Sequence, residues 1–315
     1  MSQRRGARGL GTSLSRSTLV GLAAVVVVLV VIDVVLVALA LAHTAPQAEG
    51  EPRPAPTFGT TQSGTPTPRP SASATAGAGS ASHLLSAVDG REAWRASSTS
   101  CDVSQVVLER TTDAGGDWQS VDLGGDVRTI DALRATSDGV SVLVGVGDEC
   151  ATEVRTSTDD GATWTPGEPG AAGAGITEQG LVLGDALVPS PCEDPSDAFR
   201  GTTTTLVACT DKVDWRSGTG AWVDVPVDEV RAIAVDGGEY TLARIGTATC
   251  DGVQIETMPA SGVTASTETT PIGCNDVPTD VPIALDRSGQ DVWMWAGDRV
   301  DVSSDGGATW SGSRS

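Results

Sequence analysis

The sequence is poor in the residues from which most catalytic and metal sites are built. Its 315 residues include two histidines, one tyrosine and six cysteines, with a single lysine, Lys212. Both histidines, His43 and His83, fall at the ends of a Pro/Ser/Thr-rich stretch, and no C-x-x-C pair is present. The HExxH, P-loop, G-x-S-x-G and dinucleotide-binding motifs are also absent. We therefore predict no catalytic, metal-binding or cofactor-binding residue from the sequence.

Positive charge is scarce beyond the N-terminus. The chain carries a net charge of −21, and 40 of its 41 acidic residues but only 16 of its 20 basic residues follow residue 42, which gives this part −24. Such a surface is unsuited to nucleic acid or to anionic lipid head groups. Solubility is the simplest reason for the acidity, and a preference for cationic partners is the alternative.

The N-terminus has the pattern of a membrane anchor. Residues 19–42 are almost all Val, Leu, Ala and Ile, which is long enough to span a bilayer. Residues 1–18 hold four arginines and no acid, which places this tail in the cytoplasm and the rest of the chain outside the cell. A cleaved signal with the small-x-small site Ala38–Ala40 is the alternative. Asp33 lies within the span, either simply tolerated or in contact with another membrane helix.

Residues 43–83 are predicted to form a linker. This stretch is rich in Pro, Ser, Thr, Ala and Gly and has too few apolar residues to fold, so we expect a disordered tether. Residues 84–315 lack helical periodicity and alternate short apolar runs with Gly-containing turns. This last segment is predicted to be nearly all β.

Three short runs in the predicted β domain share one pattern. Each reads Ser/Thr-x-Asp-x-Gly-x-x-Trp, and they comprise Thr111–Trp118, Ser157–Trp164 and Ser303–Trp310. Asp and hydroxyl side chains bond to nearby backbone groups in tight turns, and Gly admits a positive φ at low cost. The Trp can pack beneath the turn. The pattern predicts a β-hairpin fastened by its own side chains, repeated along the chain.

At these positions the runs resemble the Asp-box, or bacterial neuraminidase repeat. The resemblance implies a β-propeller in which each box lies between the third and fourth strands of a blade, has a structural role and lies away from the ligand-binding face. Related propellers include sialidases, sortilin-type receptors and photosystem assembly factors. The matching structural residues are Thr111, Asp113, Gly115, Trp118, Ser157, Asp159, Gly161, Thr163, Trp164, Ser303, Asp305, Gly307, Thr309 and Trp310.

The spacing of the boxes suggests about five four-stranded blades. Asp113 and Asp159 are 46 residues apart, and the 146 residues from Asp159 to Asp305 correspond to three repeats of that size. Two degenerate repeats are then expected, with turns near residues 217–222 and 260–262. In the third repeat, residues 192–197 are interpreted as an insertion between the first and second strands. Because few residues follow the last box, we expect those just before Leu84 to supply its fourth strand and close the ring, an open ring being the alternative.

The even number of cysteines in an exported domain predicts disulfides. The candidates are Cys101, Cys150, Cys192, Cys209, Cys250 and Cys274. Strand ends and links between blades share one face of a propeller, which supports two pairings. The first is 101–150, 192–209 and 250–274, and the second is 101–150, 209–250 and 192–274.

The resemblance also raises sialidase activity, which would require an Arg triad and a Tyr/Glu pair. Tyr240 follows Glu239 directly, so the two point to opposite faces of a strand, and the arginines Arg134, Arg231 and Arg244 show no common pattern. The sequence therefore favours a membrane-anchored, extracytoplasmic binding or scaffold module for a protein, peptide or glycan. A glycan-active hydrolase with an unrecognised carboxylate pair is the alternative.

Overall fold

The computed structural model describes residues 82–313, which form 23 β-strands and no helix. The strands are β1 Ser82–Ala87, β2 Ala93–Ser98, β3 Val106–Thr111, β4 Gln119–Ser120, β5 Val127–Thr136, β6 Gly139–Val146, β7 Ala151–Ser157, β8 Thr165–Pro166, β9 Ala174–Thr177, β10 Gly180–Leu183, β11 Ala186–Val188, β12 Asp197–Arg200, β13 Thr204–Ala208, β14 Val213–Ser217, β15 Val223–Val225, β16 Val230–Asp236, β17 Glu239–Arg244, β18 Val253–Pro259, β19 Thr270–Asn275, β20 Ile283–Ser288, β21 Asp291–Ala296, β22 Arg299–Ser303 and β23 Ser311–Ser313.

The predicted tail, membrane span and almost all of the predicted linker lie outside these residues. Within 82–313, no helix is long and apolar enough to cross a membrane. Strand β1 begins at Ser82, two residues before the predicted start of the domain, so His83 belongs to the folded part.

The strands form six antiparallel sheets, each made from consecutive strands of the chain. Five sheets have four strands and the third has three, β9 to β11. The first strands of neighbouring sheets contact one another all the way round, and β20 of the last sheet contacts β1 of the first. The domain is therefore a closed six-bladed β-propeller with its first strands innermost, and the expectation of five blades was wrong.

The hydrophobic core repeats the symmetry of the ring. Six clusters of buried residues are present in the described part of the chain, and each lies between two adjacent blades. The cluster between blades 6 and 1 includes Trp293, Trp295 and Leu85. Each blade thus buries both faces against its neighbours, which explains why the inner strands have apolar residues on both faces.

The blade count was wrong because the third repeat contains two blades. Strands β9 to β11 form a small sheet of their own, and the supposed insertion, residues 192–197, is the link that leads into β12 of blade 4. The boxes therefore lie in blades 1, 2 and 6. Blades 3, 4 and 5, which lie between the second box and the third box, have none. Four repeats, and not three, fill the 146 residues from Asp159 to Asp305, because most blades are shorter than the 46 residues that separate the first two boxes.

The expected completion of the last blade was also wrong. Its fourth strand is β23, which pairs with β22 within the same blade. Residues from Ser82 onward instead form the innermost strand of blade 1. In blade 5 the fourth strand is β19, and Val263, directly after the expected turn at residues 260–262, is a buried loop position.

The turns divide the propeller into two faces. The box turns, between the third and fourth strands of blades 1, 2 and 6, lie on the face that also holds the turns after each first strand; we call this the box face. The links between blades and the turns after each second strand lie on the other face, which carries all six cysteines and is called the disulfide face here.

Candidate ligand-binding channel

A large cavity runs through the centre of the propeller. It has a volume of about 910 Å3 and is lined by the innermost strands of all six blades. Because the chain places these strands side by side around an axis, any polar side chain that they turn inward enters the same space. Three carboxyl groups do so, from Asp131 in blade 2, Asp197 in blade 4 and Asp286 in blade 6.

Two of these carboxyls tie one inner strand to the next. Oδ2 of Asp197 accepts a hydrogen bond of 2.7 Å from the backbone N–H of Ile233 in blade 5. Oδ2 of Asp286 accepts one of 2.7 Å from Ala87 in blade 1. Burial raises the pKa of each carboxyl to about 6, and the backbone hydrogen bonds work in the opposite direction. Both groups satisfy backbone donors that have no partner in a ladder, which is a structural task.

Hydroxyl groups make the same kind of connection. Ser86 Oγ accepts a hydrogen bond of 2.9 Å from the N–H of Ala135, which joins blades 1 and 2. Ser196 Oγ donates one of 2.8 Å to the carbonyl of Val230, which joins blades 4 and 5. Inner strands of different blades do not pair through their backbones, so short polar side chains replace the missing ladder at these positions.

Asp131 differs from the other two channel carboxyls. It lies at a β-bulge of β5, where the pairing with β6 shifts between Ile130 and Ala132. Its one hydrogen bond in the structure comes from the hydroxyl of Thr129, at 3.3 Å. Burial, with a smaller contribution from the charge of Glu178, raises its pKa to about 6. Bulges re-aim side chains, and here the bulge leaves a carboxyl with spare acceptor capacity in the channel.

Arginines give the channel positive charge as well. Arg231 lies at a second bulge, in β16, and pairs with Glu229 at 2.6 Å. Arg134 donates to the carbonyl of Arg200 at 3.1 Å, and Arg287 donates to Thr241 Oγ1 at 3.0 Å. The channel is therefore a mixed polar and apolar site in which most charged groups already have partners.

The three inner-strand carboxyls are spread around the ring. They come from alternate blades of a six-membered ring. The pKa of each is raised by burial, and none is raised by the charge of another of the three. Two carboxylates at the separation used for glycoside hydrolysis would perturb each other. The pKa shifts therefore give no sign of a coupled carboxylate pair among the three.

Of the residues considered for sialidase activity, Arg134 and Arg231 line the channel, and Glu239, Tyr240 and Arg244 do not. Tyr240 is fully buried, donates to Thr204 Oγ1 at 3.0 Å and does not line the channel. Glu239 is exposed at the turn before it, 3.5 Å from Arg287. Arg244 pairs with Asp228 and with Glu256 and also lies off the channel lining.

The predicted box residues form three turns with the same hydrogen bonds. In the second turn, Ser157 Oγ donates to Asp159 Oδ1 at 2.8 Å and accepts from the N–H of Gly161 at 2.9 Å. Asp159 also accepts from the N–H and the hydroxyl of Thr163, and the Trp164 indole donates to a backbone carbonyl at 3.0 Å. The first and third turns repeat the hydroxyl–carboxylate–glycine bonds through Thr111, Asp113 and Gly115 and through Ser303, Asp305 and Gly307.

All six cysteines are paired. The disulfides are Cys101–Cys150, Cys192–Cys209 and Cys250–Cys274, which is the first of the two pairings considered from the sequence. Cys101–Cys150 crosses from blade 1 to blade 2, and the other two link a second-to-third-strand turn to a nearby segment on the same face.

Sequence reasoning did not single out the channel carboxyls. A signal was present for Asp131, which interrupts the apolar run Ile130–Leu133 within β5, whereas Asp286 only ends the apolar part of β20. An acid inside such a run is costly unless the fold gives it a partner or a task. Only the structure shows which inner strands are neighbours, and this separates Asp197 and Asp286, which bridge two strands, from Asp131.

No protein-family model matches the sequence, and no curated protein matches it. Solved structures with a similar arrangement include YCF48 bound to D1 peptide, with 16% identity over 74% of this chain and 66% of that chain and a TM-score of 0.29. Hsv2 of Kluyveromyces lactis has 10% identity over 74% and 62%, with a TM-score of 0.31. The xylan beta-1,4-xylosidase of Bacillus halodurans C-125 has 10% identity over 71% and 49%, with a TM-score of 0.36. The chain thus spans about half to two thirds of each neighbour's length, and similarity at this level carries no argument about activity.

Proposed function

We propose that the protein is a membrane-anchored, extracytoplasmic propeller that binds a protein, peptide or glycan partner at the mouth of its channel on the disulfide face. The observation that carries the proposal is Asp131. Among the described residues, it is the one carboxyl of the three on the inner strands that accepts no hydrogen bond from a backbone N–H, and a bulge holds it in a space large enough for a side chain or a sugar ring.

The remaining features support a binding role. The box turns lie on the opposite face and are closed by their own hydrogen bonds, which leaves the disulfide face for recognition. The apolar residues 19–42 provide the proposed anchor and the Pro-rich stretch after them the tether, which would let the propeller search for a partner near the membrane. The acidic composition suits a partner with basic groups.

Site-specific photo-crosslinking in intact cells tests the proposal. The photoreactive residue replaces Asp280, which is exposed and lines the channel on the disulfide face. The matched control carries it at Ser304, which is exposed in a box turn. We expect a defined adduct from position 280, weakened by Asp131→Asn, and none from position 304. Equal labelling from both positions, or no adduct from either, would contradict the proposal.

A glycan-active hydrolase is the second candidate, and the observation in its favour is that three carboxyls from the inner strands, together with Asp280, line one channel. A panel of chromogenic glycosides would detect it. Turnover that Asp131→Asn abolishes, together with no crosslinked partner, would reverse the order of the two proposals.

A further inference from the structure

The disulfide Cys192–Cys209 has two sulfurs in different surroundings. Cys192 is half-buried in the link between blades 3 and 4. Cys209 follows β13 and is 1% exposed, packed in a cluster with Leu181, Leu183 and Val207. An attacking thiolate therefore reaches Cys192 more readily, and Cys209 is the sulfur that would leave into an apolar interior.

A buried carboxyl contacts the inner sulfur. Asp214 is completely buried, and its Oδ2 lies 3.4 Å from Cys209 Sγ. A disulfide sulfur carries no hydrogen, so this contact becomes a thiol–carboxylate hydrogen bond only when Cys209 is reduced. Burial raises the pKa of Asp214 to about 6, and Asp224 raises it further while Lys212 lowers it. A carboxyl with such a pKa can hold a proton and release it near neutral pH.

Lys212, the single lysine of the chain, forms ion pairs with Asp214 and with Asp224. Lys212 Nζ lies 3.2 Å from Asp214 Oδ1 and 3.1 Å from Asp224 Oδ2. Oδ1 has no hydrogen bond of good geometry, so this ion pair is its main compensation. Burying a carboxyl with so few partners costs stability, and a purely structural disulfide does not need one beside it.

The other two disulfides lack this arrangement. In the described part of the chain, only Cys192–Cys209 has a carboxylate oxygen within 4.8 Å of both sulfurs. Cys250–Cys274 shows a similar contrast in burial, because Cys250 is 5% exposed and Cys274 lies at the surface. It therefore serves as an internal control in which no carboxylate oxygen lies within 4.8 Å of both sulfurs.

We propose that Cys192–Cys209 is a redox-active disulfide that oxidises dithiols, with Asp214 as the general acid for the departing Cys209 sulfur. This activity goes beyond the binding role and does not depend on it. The substrate class is a small dithiol or a pair of thiols in a protein, presented on the disulfide face.

The reaction balances as two exchanges. A substrate thiolate attacks Cys192 Sγ, a mixed disulfide forms, and the bond to Cys209 breaks as its sulfur takes the proton of Asp214. The second substrate thiolate then attacks the substrate sulfur of the mixed disulfide and releases Cys192 as a thiolate, which solvent protonates. The substrate loses two electrons to become a disulfide, and Cys192 and Cys209 gain them as thiols.

The first test uses the unmodified full chain in detergent. It is exposed to limiting dithiothreitol, quenched by alkylation at intervals and digested, and peptide mass analysis gives the rate of opening of each disulfide. We expect Cys192–Cys209 to open at least about tenfold faster than Cys250–Cys274, because general acid catalysis is typically worth a hundredfold or more. Opening at the same rate as its control, or last, would overturn the proposal without any variant.

The second test compares rates across pH. The ratio of the two opening rates within one molecule cancels the ionisation of dithiothreitol. It should fall as pH rises through about 6, where Asp214 loses its proton, with Lys212 and Asp224 as the charged groups that face it. In Asp214→Asn the ratio should drop about tenfold and lose its pH dependence, while the rate at Cys250–Cys274 stays unchanged. A pH-independent ratio in the unmodified chain would also refute the role of Asp214.

Discussion

Asp286→Asn isolates the energetic cost of an ionised group in the channel. Asparagine has nearly the same shape and keeps a carbonyl oxygen to accept the hydrogen bond from Ala87, so the link between blades 6 and 1 is retained. What the substitution removes is the charge. The variant therefore reports the ionisation of this carboxyl at the seam where the ring closes.

The magnitude follows from the pKa. Burial raises the pKa of Asp286 from 3.8 to about 6, so between these values the folded state holds a proton that the unfolded state has lost. Stability consequently falls as pH rises through this window, is undiminished below 3.8 and carries the full cost above 6. A difference of about two pKa units corresponds to at most about 3 kcal/mol, and solvent in the channel reduces this to about 1–2 kcal/mol.

Urea unfolding of the full chain in detergent, followed by tryptophan fluorescence, measures the effect. Asp286→Asn should be more stable than the wild type by about 1–2 kcal/mol at pH 8 and equal to it at pH 3.5.

Asp305→Asn is the control of opposite sign. Thr309 lowers the pKa of Asp305 to about 2, so its contribution is present above 3.8 and is lost as pH falls through 2. This second variant should be destabilised at pH 8. If Asp286→Asn were less stable than the wild type at pH 8, the reasoning about the channel carboxyls would be refuted.

Four further substitutions test the turns and packing by the same unfolding assay. Ser157→Ala should cost about 1–3 kcal/mol, because it leaves the buried N–H of Gly161 without its acceptor; an unchanged midpoint would show that the box hydroxyl is dispensable. Gly273→Ala should cost more than about 2 kcal/mol, because the new Cβ would lie 2.2 Å from the carbonyl oxygen of Gly307. Gly262→Ala is its control: the new Cβ meets no atom within 4 Å, and the substitution should cost only about 1 kcal/mol for the positive φ of this position. Ala114→Gly should stabilise by up to about 1 kcal/mol, because Ala114 has φ of 64° and the corresponding position of the third box is Gly306; a loss of stability would contradict this.

The propeller was predictable from the sequence because its turns are local. The hydroxyl, Asp, Gly and Trp of each box lie within eight residues, and the hydrogen bonds of the hydroxyl and the Asp stay within the box. The disulfide pairing was accessible in part, because each cysteine could be placed on one face from its position at a strand end. Choosing between the two pairings required knowing which blades are neighbours.

The blade count and the channel were less accessible for the same physical reason. Blade 3 has short strands and no box, so nothing local separates β9–β11 from the next blade, and its existence depends on packing against blades 2 and 4. The partner of Asp286 is Ala87, 199 residues earlier in the chain. Such a contact is fixed by the closure of the ring, and pattern reasoning along a single chain has no access to it.

The seam between blades 6 and 1 holds the ring closed without an exchanged strand. Each blade is complete in itself, so side chains alone join the two ends: the Trp293 indole donates to the carbonyl of Asp89 at 2.8 Å, Ser288 Oγ donates to that of Val88 at 2.9 Å, and His83 stacks on Trp295.

Burial lowers the pKa of His83 to about 4, with Arg95 contributing in the same direction. This histidine is therefore neutral in the folded state, and its contribution to stability is lost as pH falls from 6.5 through 4. Asp286 acts on the same seam with the opposite dependence. The two dependences cover nearly the same pH range and have opposite signs, so their effects on closure should largely cancel between pH 4 and 6, and the protection factors of the β1 amides should stay nearly constant there.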